Sequence, residues 1–312
     1  MRQLGRMLKR ENGSLGSNEK MLSNYRLALG TVQFGQAYGV ANQNGQVTQQ
    51  EAQAMLHLAA TNGIDTLDTA IAYGDSENTL GKAGVRGFKV ITKLPEAPKE
   101  CPDISSWVHD QVFASLTRLG VSSMYGFLLH RPAQLLGSQG TNLIRSLQEL
   151  KERGLVQKIG ASIYNPHDLE EIGRTFHFDL IQAPFNLVDR RLEKTGWLKK
   201  LKDKGVEIHT RSAFLQGLLL MSPKIVPAKF VSWSDLWNRW HTWLAEHKSA
   251  AVATSLAFPL SFPEIDRVVV GADSVSQLTQ IIGATKNLPA GEFPEISCDD
   301  ENLIDPSRWA GI

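Results

Sequence analysis

Four residues of types that perform proton chemistry lie at or just after the ends of strand-like segments. Asp68 lies in one such segment, and Tyr73 follows it closely. Lys93 ends the next segment, and His130 ends the one after that. Any one of them alone is more often a structural hydrogen-bonding group than a catalyst. Together they could donate a proton and stabilise a developing negative charge.

The chemistry of this set depends on the acidity of the phenol. A tyrosine hydroxyl titrates near pH ~10 in water, too high for ready proton transfer at neutral pH. We expect Lys93 to lower the pKa of Tyr73, and Asp68 to hold Lys93 charged and oriented. His130 could hydrogen-bond a substrate carbonyl oxygen. The set offers no nucleophile and no metal, so a second reactant must deliver hydride, and nicotinamide is the usual carrier.

Such a set needs a scaffold that brings successive strand ends together. From residue 25 onward, short apolar or β-branched runs alternate with segments of helical periodicity, a pattern typical of βα units around a parallel sheet. The predicted strands are Arg26–Thr31, Thr66–Thr69, Lys89–Lys93, Tyr125–His130, Lys158–Ser162, Leu180–Pro184, Glu207–Arg211 and Arg267–Gly271. Helices are predicted to begin near Thr48, Ser76, Asp103, Thr141, Pro166, Glu193, Ser234 and Ser274. Eight such pairs predict a (β/α)8 TIM barrel, in which chemistry is carried at the carboxyl ends of the strands.

The length of 312 residues suits one α/β barrel. We expect a single domain over residues 25–312, ending in a C-terminal tail, and a flexible extension over residues 1–24. No apolar segment of the signal-peptide type follows the basic start of the chain, so no signal peptide is expected. The alternative fold is a doubly wound open sheet, which usually shows G-x-G-x-x-G after its first strand. Gly81, Gly84 and Gly87 have the wrong spacing for it and are typical of helix ends and turns.

Composition excludes several classes of partner. The 33 Lys and Arg nearly balance the 32 Asp and Glu, which leaves a net charge of +1 and disfavours nucleic acid and anionic lipid. The longest apolar run, Phe214 to Met221, is far below the ~18 residues that span a bilayer. Cys101 and Cys298 predict neither a disulfide framework nor a zinc site, so we expect a reducing, cytoplasmic location. No histidine pair has the spacing of a metal site, so no metal is expected.

The motifs around these residues resemble those of the aldo-keto reductases, NAD(P)H-dependent (β/α)8 barrels. The resemblance spans about residues 25–285 and rests on a set of ordered motifs. They are Asp68-Thr69-Ala70-x-x-Tyr73-Gly74-x-x-Glu77, Ile91-Thr92-Lys93, Leu129-His130-x-Pro132 and Ile159-Gly160-Ala161-Ser162. The resemblance implies that Tyr73 is the proton donor, that Asp68, Lys93 and His130 complete its tetrad, and that the substrate is a small carbonyl compound or the corresponding alcohol.

The resemblance also implies residues that contact the cofactor. Gly30 and Thr31 resemble the turn against the nicotinamide, and Ser162 and Gln182 the pair that bonds its carboxamide. Ile163 replaces an Asn that is common after the Ser, so one contact is lost. Arg211 stands where many members stack an aromatic side chain on nicotinamide, and a planar guanidinium can lie flat there.

The segment after the eighth strand, with Gly271 and Gln277, is similar to the one that holds the adenosine end. Most of the family prefers NADP(H), which we therefore favour over NAD(H). However, no Lys or Arg occurs between Val268 and Thr285 to meet a 2′-phosphate, and Asp273 would repel it. The common Asn late in this helix is Ile281, so NAD(H) remains a serious competitor.

Two other functions remain open. A nucleotide-sensing regulatory subunit would keep the barrel and the cofactor but have little turnover, and the intact tetrad argues against it. A (β/α)8 isomerase or lyase using the same rim would be indifferent to nicotinamide.

Overall fold

Eight parallel strands form a closed barrel in the computed structural model, which describes residues 26–42 and 44–311. The strands are β1 (Leu27–Gly30), β2 (Thr66–Asp68), β3 (Lys89–Leu94), β4 (Met124–Leu129), β5 (Val156–Ser162), β6 (Leu180–Pro184), β7 (Glu207–Arg211) and β8 (Arg267–Gly271). The predicted single-domain (β/α)8 barrel and all eight predicted strands are confirmed. The largest difference is at β5, which begins at Val156 rather than Lys158. The predicted flexible extension over residues 1–24 lies outside the described residues.

Closure of the barrel brings the two ends of the sequence together. Each strand pairs with the next, and β8 pairs with β1. Gly30 lies opposite Asp68 of β2 and opposite Gly271 of β8. Residues that are far apart in sequence therefore share one rim at the carboxyl ends of the strands.

Helices connect the strands on the outside of the barrel. They are α1 (Val32–Gly35), α2 (Gln49–Thr61), α3 (Ser76–Ala83), α4 (Ile104–Leu119), α5 (Gly140–Glu152), α6 (Asp168–Thr175), α7 (Arg191–Lys194), α8 (Trp197–Asp203), α9 (Ser234–Glu246), α10 (Ala251–Leu260), α11 (Val275–Ala284) and α12 (Glu301–Ile304). Short 3₁₀ segments cover Pro132–Leu136, Leu215–Leu220, Pro223–Ile225, Ala228–Trp233, Thr285–Asn287 and Pro306–Gly311.

Polar caps account for several predicted helix starts. Thr48 Oγ1 accepts a hydrogen bond from Glu51 N at the start of α2, and Asp103 caps α4 in the same way. Ser274 caps α11 by accepting a hydrogen bond from Gln277 N. Each cap satisfies a backbone donor that has no partner inside the helix, so these residues begin helices where the sequence predicts.

The connection between β7 and β8 differs from the prediction of one helix beginning at Ser234. The structure has two helices there, α9 and α10. Helix α10 is buried along nearly its whole length, whereas α9 buries only Leu236, Trp237 and Trp240. Helix α10 therefore takes the position against the barrel, and α9 is an addition to it. Because nearly every residue of α10 is buried, its sequence shows no helical periodicity and does not predict a separate helix.

A polar cluster lies at the amino end of the barrel interior. The Glu207 carboxylate accepts hydrogen bonds from Tyr125 Oη (2.7 Å) and Lys158 Nζ, and it contacts His209 Nε2 at 2.6 Å. Burial acts to raise the pKa of Glu207, but the contacts with His209 and Lys158 outweigh it and hold that pKa well below its ordinary value. The Glu207 carboxylate is thus ionised, and its contacts link the amino-terminal parts of β4, β5 and β7.

Two glycines fix the turn that follows β2. A Cβ atom on Gly35 would lie 1.7 Å from the carbonyl oxygen of Tyr73, and one on Gly74 would lie 2.5 Å from that of Gly35. Gly74 also has a φ of +55°, which disfavours other residues. Helix α1 therefore packs directly against the backbone that carries Tyr73.

The C-terminal tail packs on the outside of the barrel. Trp309 is buried with its ring 4.8 Å from that of Phe230, and Lys229 Nζ donates a hydrogen bond to the Trp309 carbonyl oxygen at 2.6 Å.

Within the described ranges, no helix combines the length and hydropathy that crossing a bilayer would need. Nor do three or more His, Cys, Asp or Glu side chains of residues 26–42 and 44–311 form a group able to hold a metal ion.

The close approach of Gly35 to the Tyr73 backbone can be tested by measuring the free energy of unfolding. We expect Gly35→Ala to lower the free energy of unfolding by more than about 2 kcal/mol, because the new Cβ would overlap backbone atoms that cannot move aside cheaply. Gly173→Ala is the matched control, since Gly173 lies inside α6 with open space around it. The control should stabilise the protein by roughly 0.5–1 kcal/mol. Urea unfolding measures both variants, and a Gly35→Ala variant as stable as wild type would refute the contact.

The Glu207 cluster predicts a pH-dependent contribution to stability. A carboxylate whose pKa is depressed in the folded state stabilises it above the unfolded pKa of about 4.3 and loses this contribution as the pH falls further. We expect Glu207→Gln to lower the free energy of unfolding by about 1–2 kcal/mol at neutral pH. The difference from wild type should shrink in acid. Glu246→Gln, at an exposed position, serves as the control in thermal unfolding across pH. A difference that grows in acid would contradict the assignment.

Candidate active site

A cleft of about 560 Å³ opens at the carboxyl ends of the strands. This volume is within the range of about 300–1,000 Å³ typical of ligand sites. Strand ends contribute Gly30, Asp68, His130, Ser162, Arg211 and Gly271 to its lining. Thr31, Tyr73 and Gln277 also line it. Of the eleven site residues predicted from the sequence, only Lys93 and Gln182 do not line the cleft, and both are fully buried behind it.

Lys93 and Asp68 form a buried ion pair below the cleft. Lys93 Nζ lies 2.8 Å from both carboxylate oxygens of Asp68 and 2.8 Å from the Thr69 carbonyl oxygen. The same nitrogen lies 3.5 Å from the hydroxyl oxygen of Tyr73. Burial is the largest influence on the pKa of Lys93 and lowers it, and contact with Asp68 opposes this. The structure thus places Asp68 and Lys93 next to the phenol of Tyr73, where the sequence analysis expects them.

The acidity of Tyr73 differs from the expectation. Burial, and then the Asp68 carboxylate, raise the pKa of Tyr73 above its ordinary value, whereas Arg211 acts to lower it. The predicted lowering of this pKa by Lys93 is wrong. The main reason is burial of the phenol, and the second is that Asp68 lies 2.8 Å from Lys93, so the phenol faces an ion pair rather than an isolated positive charge. Tyr73 is therefore fully protonated at neutral pH.

His130 lies beside Tyr73 at the rim. The two rings meet edge to face with their centroids 5.7 Å apart. Burial, followed by the positive charges of Lys93, Arg131 and Arg211, lowers the pKa of His130 to about 3. The imidazole is thus neutral at neutral pH and has one N–H to donate. A protonated phenol and a neutral imidazole, side by side at one cleft, can both donate hydrogen bonds to a single oxygen atom.

Gln182 connects the ion pair to Ser162. Its Nε2 atom donates a hydrogen bond to Asp68 Oδ1 at 2.7 Å, and Ser162 Oγ donates to Gln182 Oε1 at 3.4 Å. The amide nitrogen of Gln182 is therefore bonded within the protein. Its predicted contact with a cofactor carboxamide stays a prediction.

Arg211 is the positively charged side chain that lines the cleft. Its guanidinium lies over the Tyr164 ring, 4.4 Å from the centroid, and donates a hydrogen bond to the Ile163 carbonyl oxygen at 3.0 Å. It makes no ion pair with any residue in the described ranges. Tyr164 was not identified from the sequence, although its place two residues after Ser162 at the end of β5 was a usable signal.

At the opposite end of the cleft, near Gly271 and Gln277, a carboxylate that the sequence analysis did not identify bonds the start of α11. Glu51 Oε1 of helix α2 accepts a hydrogen bond from Val275 N, the first residue of α11, at 2.6 Å. Asp273 lines the cleft nearby, and burial raises the pKa of its side chain. The carboxylate of Glu51 thus occupies the helix N-terminus, where the helix dipole favours a negative charge.

Two loops meet across the cleft. Gln216 Nε2, after β7, donates a hydrogen bond to the Tyr38 hydroxyl, after β1, at 3.0 Å. A Cβ atom on Gly217 would lie 2.5 Å from that of Ala41, so the two loops are in close contact. Leu215 and Gln216 both have positive φ values, of 47° and 51°, which are costly for residues other than glycine. All four residues of the two contacts line the cleft.

Known proteins share this architecture. Residues 26–298 match the sequence model of the Aldo/keto reductase family. A protein of Escherichia coli strain K12 named NADH-specific methylglyoxal reductase is 24% identical over 305 residues, which cover 86% of this chain and 92% of that protein. L-galactose dehydrogenase of Arabidopsis thaliana is 27% identical, covering 93% of this chain and 95% of that protein.

Solved structures agree at the level of the fold. The holo form of aldo-keto reductase AKR11C1 from Bacillus halodurans has a TM-score of 0.69 at 22% identity, and the likeness covers 85% of this chain and 88% of that one. Because the family match extends over most of the sequence, from residue 26 to residue 298, this chain belongs to the Aldo/keto reductase family.

Proposed function

We propose that this protein is a nicotinamide-dependent oxidoreductase that reduces a small aldehyde or ketone to an alcohol, or runs the reverse reaction, with Tyr73 as the proton donor. One observation carries the proposal: the Tyr73 hydroxyl lies 3.5 Å from the Nζ atom of a fully buried lysine, beside the His130 ring, at the rim of the cleft. Membership of the family and the oxidoreductase names of its relatives support the same class of reaction.

The residues of the cleft fit a nicotinamide dinucleotide. Gln33 Oε1 is buried in the cleft wall and finds no hydrogen-bond partner among the described residues, so a bound ligand could supply one. Gly30, Thr31, Ser162 and Arg211 would hold the nicotinamide end. Gly271 and Gln277 would hold the adenosine end. When bound, the reduced nicotinamide supplies hydride to the carbonyl carbon.

The side chains of the rim would handle the proton. Tyr73 and His130 donate hydrogen bonds to the substrate oxygen and orient it. As negative charge develops on that oxygen, Tyr73 hands over its proton, because an alkoxide is a much stronger base than a phenolate. Because the pKa of Tyr73 is raised, its hydroxyl is protonated at neutral pH and can donate a proton. Lys93 Nζ, which already bonds Asp68 and Thr69, lies close enough to stabilise the phenolate that remains.

We propose NAD(H) rather than NADP(H) as the cofactor. The expectation of NADP(H) came from the family resemblance alone. The Glu51 carboxylate already takes the Val275 N–H, and Asp273 adds a second acidic group at this end of the cleft. A 2′-phosphate at this end would lie near Asp273 in the cleft lining and near Glu51 at the start of α11, and no Lys or Arg occurs between Val268 and Thr285 to pair with it. The Escherichia coli relative is, by its name, NADH-specific.

The other functions receive less support. A nucleotide sensor with little turnover would need no proton donor, whereas both candidate donors, Tyr73 and His130, face the cleft.

Cys101 and Cys298 are free thiols, which supports the proposed cytoplasmic location.

The role of Tyr73 can be tested by removing its hydroxyl. We expect Tyr73→Phe to bind NADH as wild type does but to reduce carbonyl compounds at least about 1,000-fold more slowly, since only the acid is lost. Single-turnover oxidation of bound NADH with a panel of aldehydes and ketones measures the step directly. Tyr125→Phe, at the amino end of the barrel, is the matched control and should retain turnover. Full activity of Tyr73→Phe would reject the mechanism.

Cofactor preference can be tested by binding. We expect NADH to bind at least about tenfold more tightly than NADPH, a difference of about 1.4 kcal/mol. Glu51→Gln should narrow this ratio by improving NADPH binding, because it removes a negative charge and keeps the side-chain shape. Glu246→Gln is the control and should leave the ratio unchanged. Equal or tighter binding of NADPH by wild type, in fluorescence titrations, would contradict the proposal.

A further inference from the structure

Two guanidinium groups lie against one tyrosine ring at the end of the cleft that holds Tyr73. The Cζ atom of Arg211 is 4.4 Å from the centre of the Tyr164 ring, and the Cζ atom of Arg131 is 5.0 Å from the same centre. Arg211 and Tyr164 line the cleft, and Arg131 directly follows His130, which also lines it. Both positive charges are therefore held beside the candidate active site.

No carboxylate in the part of the chain that the structure describes forms an ion pair with Arg131 or Arg211. Arg211 donates hydrogen bonds to the Ile163 carbonyl oxygen at 3.0 Å and to the Ser212 hydroxyl at 3.4 Å. The guanidinium of Arg131 bonds none of the described residues and is exposed. Because a guanidinium has more N–H groups than these contacts use, both side chains keep donors for a ligand.

The acidic residues of the cleft do not offset these two charges. Asp68 and Asp273 are the acidic residues among the described lining of the cleft. Asp68 is paired with Lys93 at 2.8 Å, so the two cancel each other. Asp273 lies at the opposite end, near Gly271. The end of the cleft that carries the proposed proton donor therefore has a net positive charge.

These charges lie within reach of the substrate. Burial is the main cause of the lowered pKa of His130, and the charges of Lys93, Arg131 and Arg211 add to it. His130 is one of the two proposed donors to the substrate oxygen. The carbonyl carbon has to lie against the nicotinamide for hydride transfer, so side chains at the nicotinamide end also border the substrate. The phosphates of a dinucleotide lie between its two nucleosides, further toward Gly271.

We propose that the substrate is a carbonyl compound that carries an oxyanion group, a carboxylate or a phosphate, and that Arg131 and Arg211 bind this group. A guanidinium presents parallel N–H groups that match the oxygen atoms of either group. Tyr164 supports both guanidinium groups through its ring. This inference rests on the proposed function and adds the charge of the substrate to it.

The experiment compares anionic substrates with neutral ones that have the same carbonyl-bearing chain. Succinic semialdehyde and its methyl ester test a carboxylate, and glycolaldehyde phosphate and glycolaldehyde test a phosphate. We expect wild type to reduce the anionic member of at least one pair with a kcat/KM at least about tenfold higher than that of its neutral partner, mainly through a lower KM. Raising NaCl from about 0.05 M to about 0.5 M should reduce this ratio, because salt screens the attraction.

Two substitutions test the arginines. We expect Arg131→Gln and Arg211→Gln each to lower the anionic-to-neutral ratio of kcat/KM at least about fivefold, because each removes one positive charge. In Arg131→Gln, the affinity for NADH in a fluorescence titration should change less than about twofold. Arg153→Gln is the matched control, since Arg153 also lies over an aromatic ring, that of Phe113 at 5.6 Å, but does not line the cleft. It should leave the ratio unchanged.

Each outcome decides a specific point. A preference for the anion in one pair alone supports the inference and identifies the group as a carboxylate or a phosphate. Equal kcat/KM values within both pairs, or a ratio that both substitutions leave unchanged, would overturn the inference and leave the proposed function standing. An NADH affinity at least about tenfold weaker in Arg131→Gln would also overturn it, because the charge would then serve the cofactor.

The proposed function and this inference can fail separately. Reduction of neutral aldehydes or ketones without reduction of either anion overturns the inference alone, whereas reduction of no carbonyl compound overturns both. Circular dichroism checks that the variants fold, which we expect of Arg131→Gln because Arg131 is exposed. The substrate pairs and the salt series in wild type give the test without any variant.

Discussion

The buried ion pair of Lys93 and Asp68 is the interaction on which the active end of the molecule depends. Taking both charges out of water costs several kcal/mol per ion, and their attraction repays this only when the geometry is good and further hydrogen bonds are present. The structure supplies both: two contacts of 2.8 Å, the Thr69 carbonyl oxygen and the Gln182 amide. Asp68 and Lys93 come from the neighbouring strands β2 and β3, whereas Gln182 comes from β6, so the full set of contacts requires the barrel to bring non-neighbouring strands together. The pair lies directly below the cleft, with Lys93 Nζ 3.5 Å from the Tyr73 hydroxyl oxygen.

The cleft has an electrostatic polarity along its length. Arg211, stacked on Tyr164, gives a positive charge to the end near Tyr73. Asp273 lines the end near Gly271, and Glu51 lies next to that end at Val275 N, so the end near Gly271 has a negative character. Between them the two loops touch through Tyr38 and Gln216. A ligand that spans the cleft therefore meets opposite charges at its two ends, which fixes the direction in which it can bind.

Much of this could be predicted from the sequence because strand periodicity carries the information. In a parallel barrel the carboxyl end of each strand faces the same rim, so Asp68, Lys93 and His130 could be placed together from their positions in three strands. The features that the sequence did not predict depend on how the elements pack together. Contact between Glu51 and Val275 requires α2 and α11 to be neighbours, which follows only from closure of the barrel. The raised pKa of Tyr73 depends on burial and on the 2.8 Å pairing of Lys93 with Asp68, neither of which residue types can reveal.

The C-terminal tail does not reach the cleft, which limits where changes to the chain could alter ligand preference. Trp309 is anchored against Phe230 and Lys229, and none of the described residues after Ile281 lines the cleft. Redesign of this enzyme for a different ligand would therefore gain little from changing or trimming the end of the chain. The loops that follow β1 and β7 are the segments in which engineered diversity would reach the bound molecule.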